Sequence, residues 1–107
     1  MKNKFSKLMF SVVTALAFTV STAFATTVNI TVNTANWGAE VSWDLTDGSG
    51  TILASGSGYS NYATSVTTIT APNGCYNMNM YDSFGDSWNG CNIDIYENGS
   101  FVGNYTN

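Results

Sequence analysis

The sequence predicts an all-β protein: a small antiparallel β-sandwich of about seven short strands, closed by one disulfide. Three observations predict it. Apolar and polar residues alternate with a period of two in several short runs, and no 3.6-residue period appears after residue 25. Turn-forming Gly, Asn, Asp and Pro separate those runs at intervals of about 8–12 residues, the spacing of sandwich strands. The same stretch is low in charge, rich in Thr and Asn, and carries Trp37, Trp43, Trp88 and six tyrosines, a composition that suits strands and argues against disorder.

The elements follow in order. Lys2, Lys4 and Lys7 precede a mostly apolar run, Leu8 to Val20, and then Ala23-Phe24-Ala25. A basic start, a short apolar stretch and small residues at the −3 and −1 positions are the pattern of a secretory signal peptide, assigned to residues 1–25. The run is too short and too rich in Ser and Thr to span a bilayer, so no membrane insertion is expected once it is removed. Residues 26–107 then form a single domain, secreted to the cell surface or beyond. Val28, Ile30 and Val32 alternate with Thr and Asn over Thr27–Thr34, a half-buried strand. Ala39, Val41, Trp43 and Leu45 alternate with Glu40, Ser42 and Asp44, and Trp43 is expected in the core. Asp47-Gly48-Ser49-Gly50 reads as a hairpin turn into Thr51–Ser55. Tyr62–Thr70 is β-branched but alternates weakly. After the turn at Pro72-Asn73-Gly74, Tyr76, Met78 and Met80 define a strand that runs into a polar loop over 83–90. Ile93 and Ile95 mark the next strand, Asn98-Gly99 a hairpin turn, and Phe101–Tyr105 the last strand.

Charge excludes several function classes. All three basic residues lie in the leader, there is no histidine, and residues 26–107 hold seven carboxylates: Glu40, Asp44, Asp47, Asp82, Asp86, Asp94 and Glu97. A domain without cations does not neutralise phosphates, so nucleic acid is excluded as a partner. Serine- or cysteine-histidine catalysis and Schiff-base chemistry lack their residues, and the domain is not expected to be an enzyme. Two cysteines in an exported chain are most simply a disulfide, Cys75 to Cys91. On a chain-entropy account such a loop is worth about 3 kcal/mol.

The chemistry concentrates in Tyr81-Asp82-Ser83-Phe84-Gly85-Asp86-Ser87-Trp88-Asn89-Gly90. Asp82 and Asp86 stand four apart in a loop that two glycines allow to turn, and Asn89 adds a neutral oxygen. Two carboxylates about 4 Å apart repel by roughly 1–4 kcal/mol, depending on exposure, and residues 26–107 have no Arg or Lys to relieve them. An all-oxygen donor set selects a hard cation, Ca2+ before Mg2+. The alternative is that both aspartates cap turns by accepting backbone N–H groups. Asp44 and Asp94 fall on polar strand faces, and Asp47 and Glu97 flank turns. Trp88 either presents its ring for a sugar to stack on or covers one end of the core.

The order Glu40-Val41-Ser42-Trp43, Asp47-Gly48-Ser49-Gly50, Gly58-Tyr59, Gly74-Cys75-Tyr76, Asp82-Ser83-Phe84-Gly85-Asp86-Ser87-Trp88-Asn89-Gly90 and Asn98-Gly99 resembles a small secreted calcium-binding β-sandwich module. A Cys-Tyr strand followed by Asp-Ser-aromatic-Gly-Asp-Gly is its signature, and it occurs in extracellular peptidases, adhesins and surface proteins. The resemblance implies a non-catalytic domain in which Asp82 and Asp86 are calcium ligands and Glu40 is a third carboxylate reaching the same ion. One departure stands out: Ser87 replaces the glycine of the signature, a strained choice if that position needs positive φ.

The expected function is that of an extracellular structural or self-assembling subunit of a matrix, surface layer or filament, which pairs with copies of itself. The alternative is a calcium-dependent carbohydrate-binding or adhesion module whose partners are glycans.

Overall fold

A computed structural model describes residues 2–10 and 25–107. The strands are β1 (Lys2–Phe10), β2 (Ala25–Asn33), β3 (Val41–Thr46), β4 (Ile52–Gly56), β5 (Thr64–Pro72), β6 (Gly74–Asp82), β7 (Asn92–Glu97) and β8 (Ser100–Tyr105), with one 3₁₀ turn at Gly38–Glu40. Over residues 25–107 they form two antiparallel sheets, β6-β3-β4 and β5-β2-β7-β8, so the all-β, seven-strand expectation holds. The eighth strand, β1, lines the outer side of β6, with Lys2 opposite Asp82 and Phe10 opposite Gly74. It comes from the front of the segment read as a leader; positions 11–24 of that segment lie outside the described residues.

The period-two pattern becomes the core. Val28, Ile30 and Val32 of β2 and Ile93 and Ile95 of β7 form one wall. Val41, Trp43 and Leu45 of β3 and Tyr76, Met78 and Met80 of β6 form the other, and all of these side chains are buried. Each fully buried large apolar side chain is worth about 1.5–3 kcal/mol relative to exposure. The weak alternation of β5 has a structural counterpart. Ser65, Thr67 and Ile69 are only half-buried, and Ala71 alone is fully enclosed, because β5 sits at the margin of its sheet.

Both predicted hairpins form. Asp47 accepts the N–H groups of Ser49 (2.8 Å) and Thr51 (3.0 Å), closing the turn from β3 to β4. Asn98 (φ 48°) and Gly99 (φ 83°) are both left-handed, as a type I′ turn between β7 and β8 requires. The connection from β4 to β5 changes sheets and is held from below. The Thr34 hydroxyl donates to the Ser60 carbonyl at 2.6 Å, and Gly38 N–H donates to Asn61 Oδ1 at 2.8 Å. A Cβ on Gly38 would lie 2.5 Å from the Ser60 oxygen, so only glycine fits there.

The expected disulfide is not formed: Cys75 and Cys91 are both free thiols. Cys75 is exposed at the start of β6, whereas Cys91 lies beyond the opposite end of that strand, in the core. At about 3.3 Å per residue, Cys75 and Asp82 are some 23 Å apart, and a disulfide needs Cα atoms within about 7 Å. The loop over 83–90 continues from the far end of β6 and never returns to its start. Cys91 instead accepts the Ala35 N–H on its sulfur (3.2 Å) and donates its S–H to the Asn36 carbonyl (3.6 Å).

Candidate metal centre

The acidic loop is placed by strand register. Val41 pairs with Asp82, so the start of β3 and the end of β6 lie side by side and Glu40, one residue before Val41, comes next to Asp82. Ser83 N–H then donates to the Glu40 carbonyl at 2.9 Å. Asp82 winds the loop around its own carboxylate: Oδ1 accepts Phe84 N–H at 3.1 Å and Oδ2 accepts Asp86 N–H at 2.7 Å. That brings Asp86 back over Asp82. One carboxylate oxygen from each of Glu40, Asp82 and Asp86 lies within 4.8 Å of the others.

Asp82 therefore caps the turn and also joins the acidic cluster. Asp82 is fully buried, Glu40 half-buried and Asp86 exposed. No Lys, Arg or His exists in residues 26–107 to neutralise them. Desolvation, followed by the charges of Asp86 and Asp82, pushes the Glu40 carboxyl above its ordinary value of 4.5. The donor set fits a hard divalent ion. Calcium takes oxygens at about 2.4 Å, so two ligands of one ion lie at most about 4.8 Å apart. Glu40, Asp82 and Asp86 would hold such an ion, with backbone carbonyls and water completing its shell.

Asn89 is placed differently from its expected oxygen-donor role, and Trp88 takes the second of its two expected roles. Asn89 turns its amide nitrogen, not its oxygen, toward Asp86 Oδ1 (3.2 Å) and the Ser87 carbonyl (3.2 Å); it orients Asp86 rather than adding an oxygen to the cluster. Trp88 cannot offer a ring face for stacking. It is 1 % exposed, and its indole N–H donates to the Tyr81 carbonyl at 2.8 Å, so it covers the end of the core beneath the loop. The exposed aromatic of the loop is Phe84, at 76 %.

Backbone strain gathers around the cluster. Ser87 has φ 77°, the conformation for which the signature's glycine is suited, and Trp37, which precedes the 3₁₀ turn, has φ 64°. Each left-handed L-residue costs about 1–2 kcal/mol. The left-handed tryptophan carries no sequence signal that would have revealed it.

Elsewhere amides and backbone N–H groups do the work of the missing cations. Asp44 accepts Asn79 Nδ2 at 2.6 Å, and Asp94 accepts Asn33 Nδ2 (2.9 Å) and Asn104 Nδ2 (2.7 Å). Neither aspartate is simply solvated, as their polar-face positions suggested; each ties neighbouring strands together.

With that geometry in place, comparison with known proteins adds no relative. No family model, no curated protein and no solved structure matches the chain.

Proposed function

We propose that this chain is an exported, calcium-stapled β-sandwich that serves as a self-assembling structural subunit rather than as a catalyst. One observation carries the assembly half of the reading. The edge strands β4, β5 and β8 are free of charge and carry exposed apolar side chains: Ile52 and Leu53 on β4, Val66 on β5, Phe101 and Val102 on β8. Monomeric proteins protect sheet edges with lysine, proline or inward charges, and apolar exposed edges are surfaces for pairing. The seven carboxylates stand on β3, β6, β7, the 3₁₀ turn and the loops, away from those strands.

The metal half rests on the three converging carboxylates. An ion there would bind the folded state alone and stabilise it by about 2.7 kcal/mol at a hundred times its dissociation constant. It would also join the 3₁₀ turn, β6 and the loop into one rigid corner. The deciding experiment is elemental analysis of protein purified without chelator, followed by thermal melting and negative-stain microscopy with and without calcium. Bound calcium, a melting temperature lowered by its removal and calcium-dependent assemblies support the reading. A metal-free protein whose melting ignores added calcium would falsify the stapled version.

A second reading, calcium-dependent sugar binding, is favoured by the exposed Phe84 ring on the same loop. A glycan array run with and without calcium separates the two, because specific binding lost on Phe84→Ala belongs to the second alone.

A further inference from the structure

We infer that leader removal opens the edge of β6 and that β5 of a second copy of this chain takes the place β1 holds in the precursor. The inference rests on the exported, self-assembling reading and names its contact. β1 pairs with β6 along all nine residues of each. Once residues 1–25 are cleaved, β6 becomes a sheet edge with its outer row of backbone groups unpaired.

β1 is a poor match for that position. Its register sets Lys4 opposite Met80 and Ser6 opposite Met78, although both methionines are buried; only Lys2, opposite Asp82, meets a suitable partner. A strand selected for this slot would place apolar residues opposite the two methionines; in β1 the apolar Leu8 stands opposite Tyr76 instead. On the other face of β6, Asn79 is 5 % exposed and its Oδ1 accepts no hydrogen bond from the described residues. A buried acceptor left empty is costly, and a partner strand bearing hydroxyl groups would fill it.

β5 has the properties the slot requires. It is nine residues long, like β6, whereas the other described edge strands, β4 and β8, have five and six. It carries no charge, and β6 carries only Asp82, so two strongly acidic copies meet where repulsion is least. Its threonines already donate to asparagines across a strand pair: Thr68 Oγ1 to Asn29 Oδ1 at 2.8 Å and Thr64 Oγ1 to Asn33 Oδ1 at 3.1 Å. The contact joins two different edges, so each added copy leaves one β5 and one β6 open. Such a heterologous interface propagates a filament rather than closing a dimer.

The test compares the full chain, made without export, with the processed chain, both saturated with calcium and followed by light scattering and negative-stain microscopy. The full chain should remain monomeric and the processed chain should form filaments. A synthetic peptide of sequence Lys2–Phe10, added in excess, should block assembly by reoccupying β6. Prolines placed singly at Val66, Thr67 and Thr68 provide a second arm. Successive N–H groups point alternately to β2 and to the open edge, so a proline that leaves melting unchanged should abolish filaments. Filaments that persist with the peptide and with that proline, or equal assembly of the full chain, overturn the inference while leaving self-assembly intact. A processed chain that stays monomeric overturns the self-assembly reading as well.

Discussion

The backbone N–H of Ser83 donates to the carbonyl of Glu40 at 2.9 Å, and that single bond fastens the acidic loop to the 3₁₀ turn. Residues 43 positions apart are thereby held so that their carboxylates cluster without a cation from residues 26–107. Asp82 supports the arrangement from inside by accepting Phe84 and Asp86 N–H groups. The cluster is thus a folded feature and a charge problem together, and the two aspects separate by substitution.

Asp82→Ala should destabilise by about 1–3 kcal/mol with or without calcium, since it removes the acceptor that two loop backbone N–H groups share. Asp86→Ala, at an exposed carboxylate, should leave the metal-free melting temperature nearly unchanged and remove its rise on adding calcium. Parallel melts of both variants, with and without the ion, measure the difference.

Glu40 supplies a pH signature. Its carboxyl is held above 4.5 in the folded state, so the folded protein binds the proton more tightly than the unfolded chain and ionisation opposes folding. That penalty is absent below pH 4.5, grows as pH rises through the folded value and is complete above it. Demetallated protein should therefore lose stability as pH rises from 4.5 through the folded value, relative to Glu40→Gln. Calcium affinity should rise over the same interval, because the ion binds the ionised form. Melting and calcium titration across that range check both trends.

Ser87→Gly should raise the melting temperature, by an amount equivalent to about 1 kcal/mol, by relieving a φ of 77°. A serine kept for a loop contact that outweighs the strain would show as a fall instead.

Trp88→Ala should cost about 3–5 kcal/mol, as expected for a large buried side chain, whereas Phe84→Ala should leave stability within about 0.5 kcal/mol. Denaturant unfolding of the two variants tests the assignment of one aromatic to the core and the other to solvent.

Alkylation under native conditions should modify Cys75 alone, with Cys91 reacting only after unfolding. Mass spectrometry before and after denaturation reads this directly, and it should find two thiols rather than a disulfide.

The sequence by itself determined the strands and the interior. Val28, Ile30, Val32, Trp43, Ile93 and Ile95 are buried because a period-two pattern has only one way to hide its apolar face, and Asn98-Gly99 turns because those residues tolerate positive φ. It also determined that residues 26–107 hold no cation to pair with the loop aspartates, since composition alone shows that. Only the tertiary structure decided which distant residues meet. The β3–β6 register set Glu40 beside Asp82, and the direction of the 83–90 loop kept Cys91 away from Cys75. The burial of Trp88 and the donor role of the Asn89 amide were decided the same way. Local patterns encode which face a side chain takes; pairing between strands far apart in the chain depends on the whole packed assembly, and no single segment carries it.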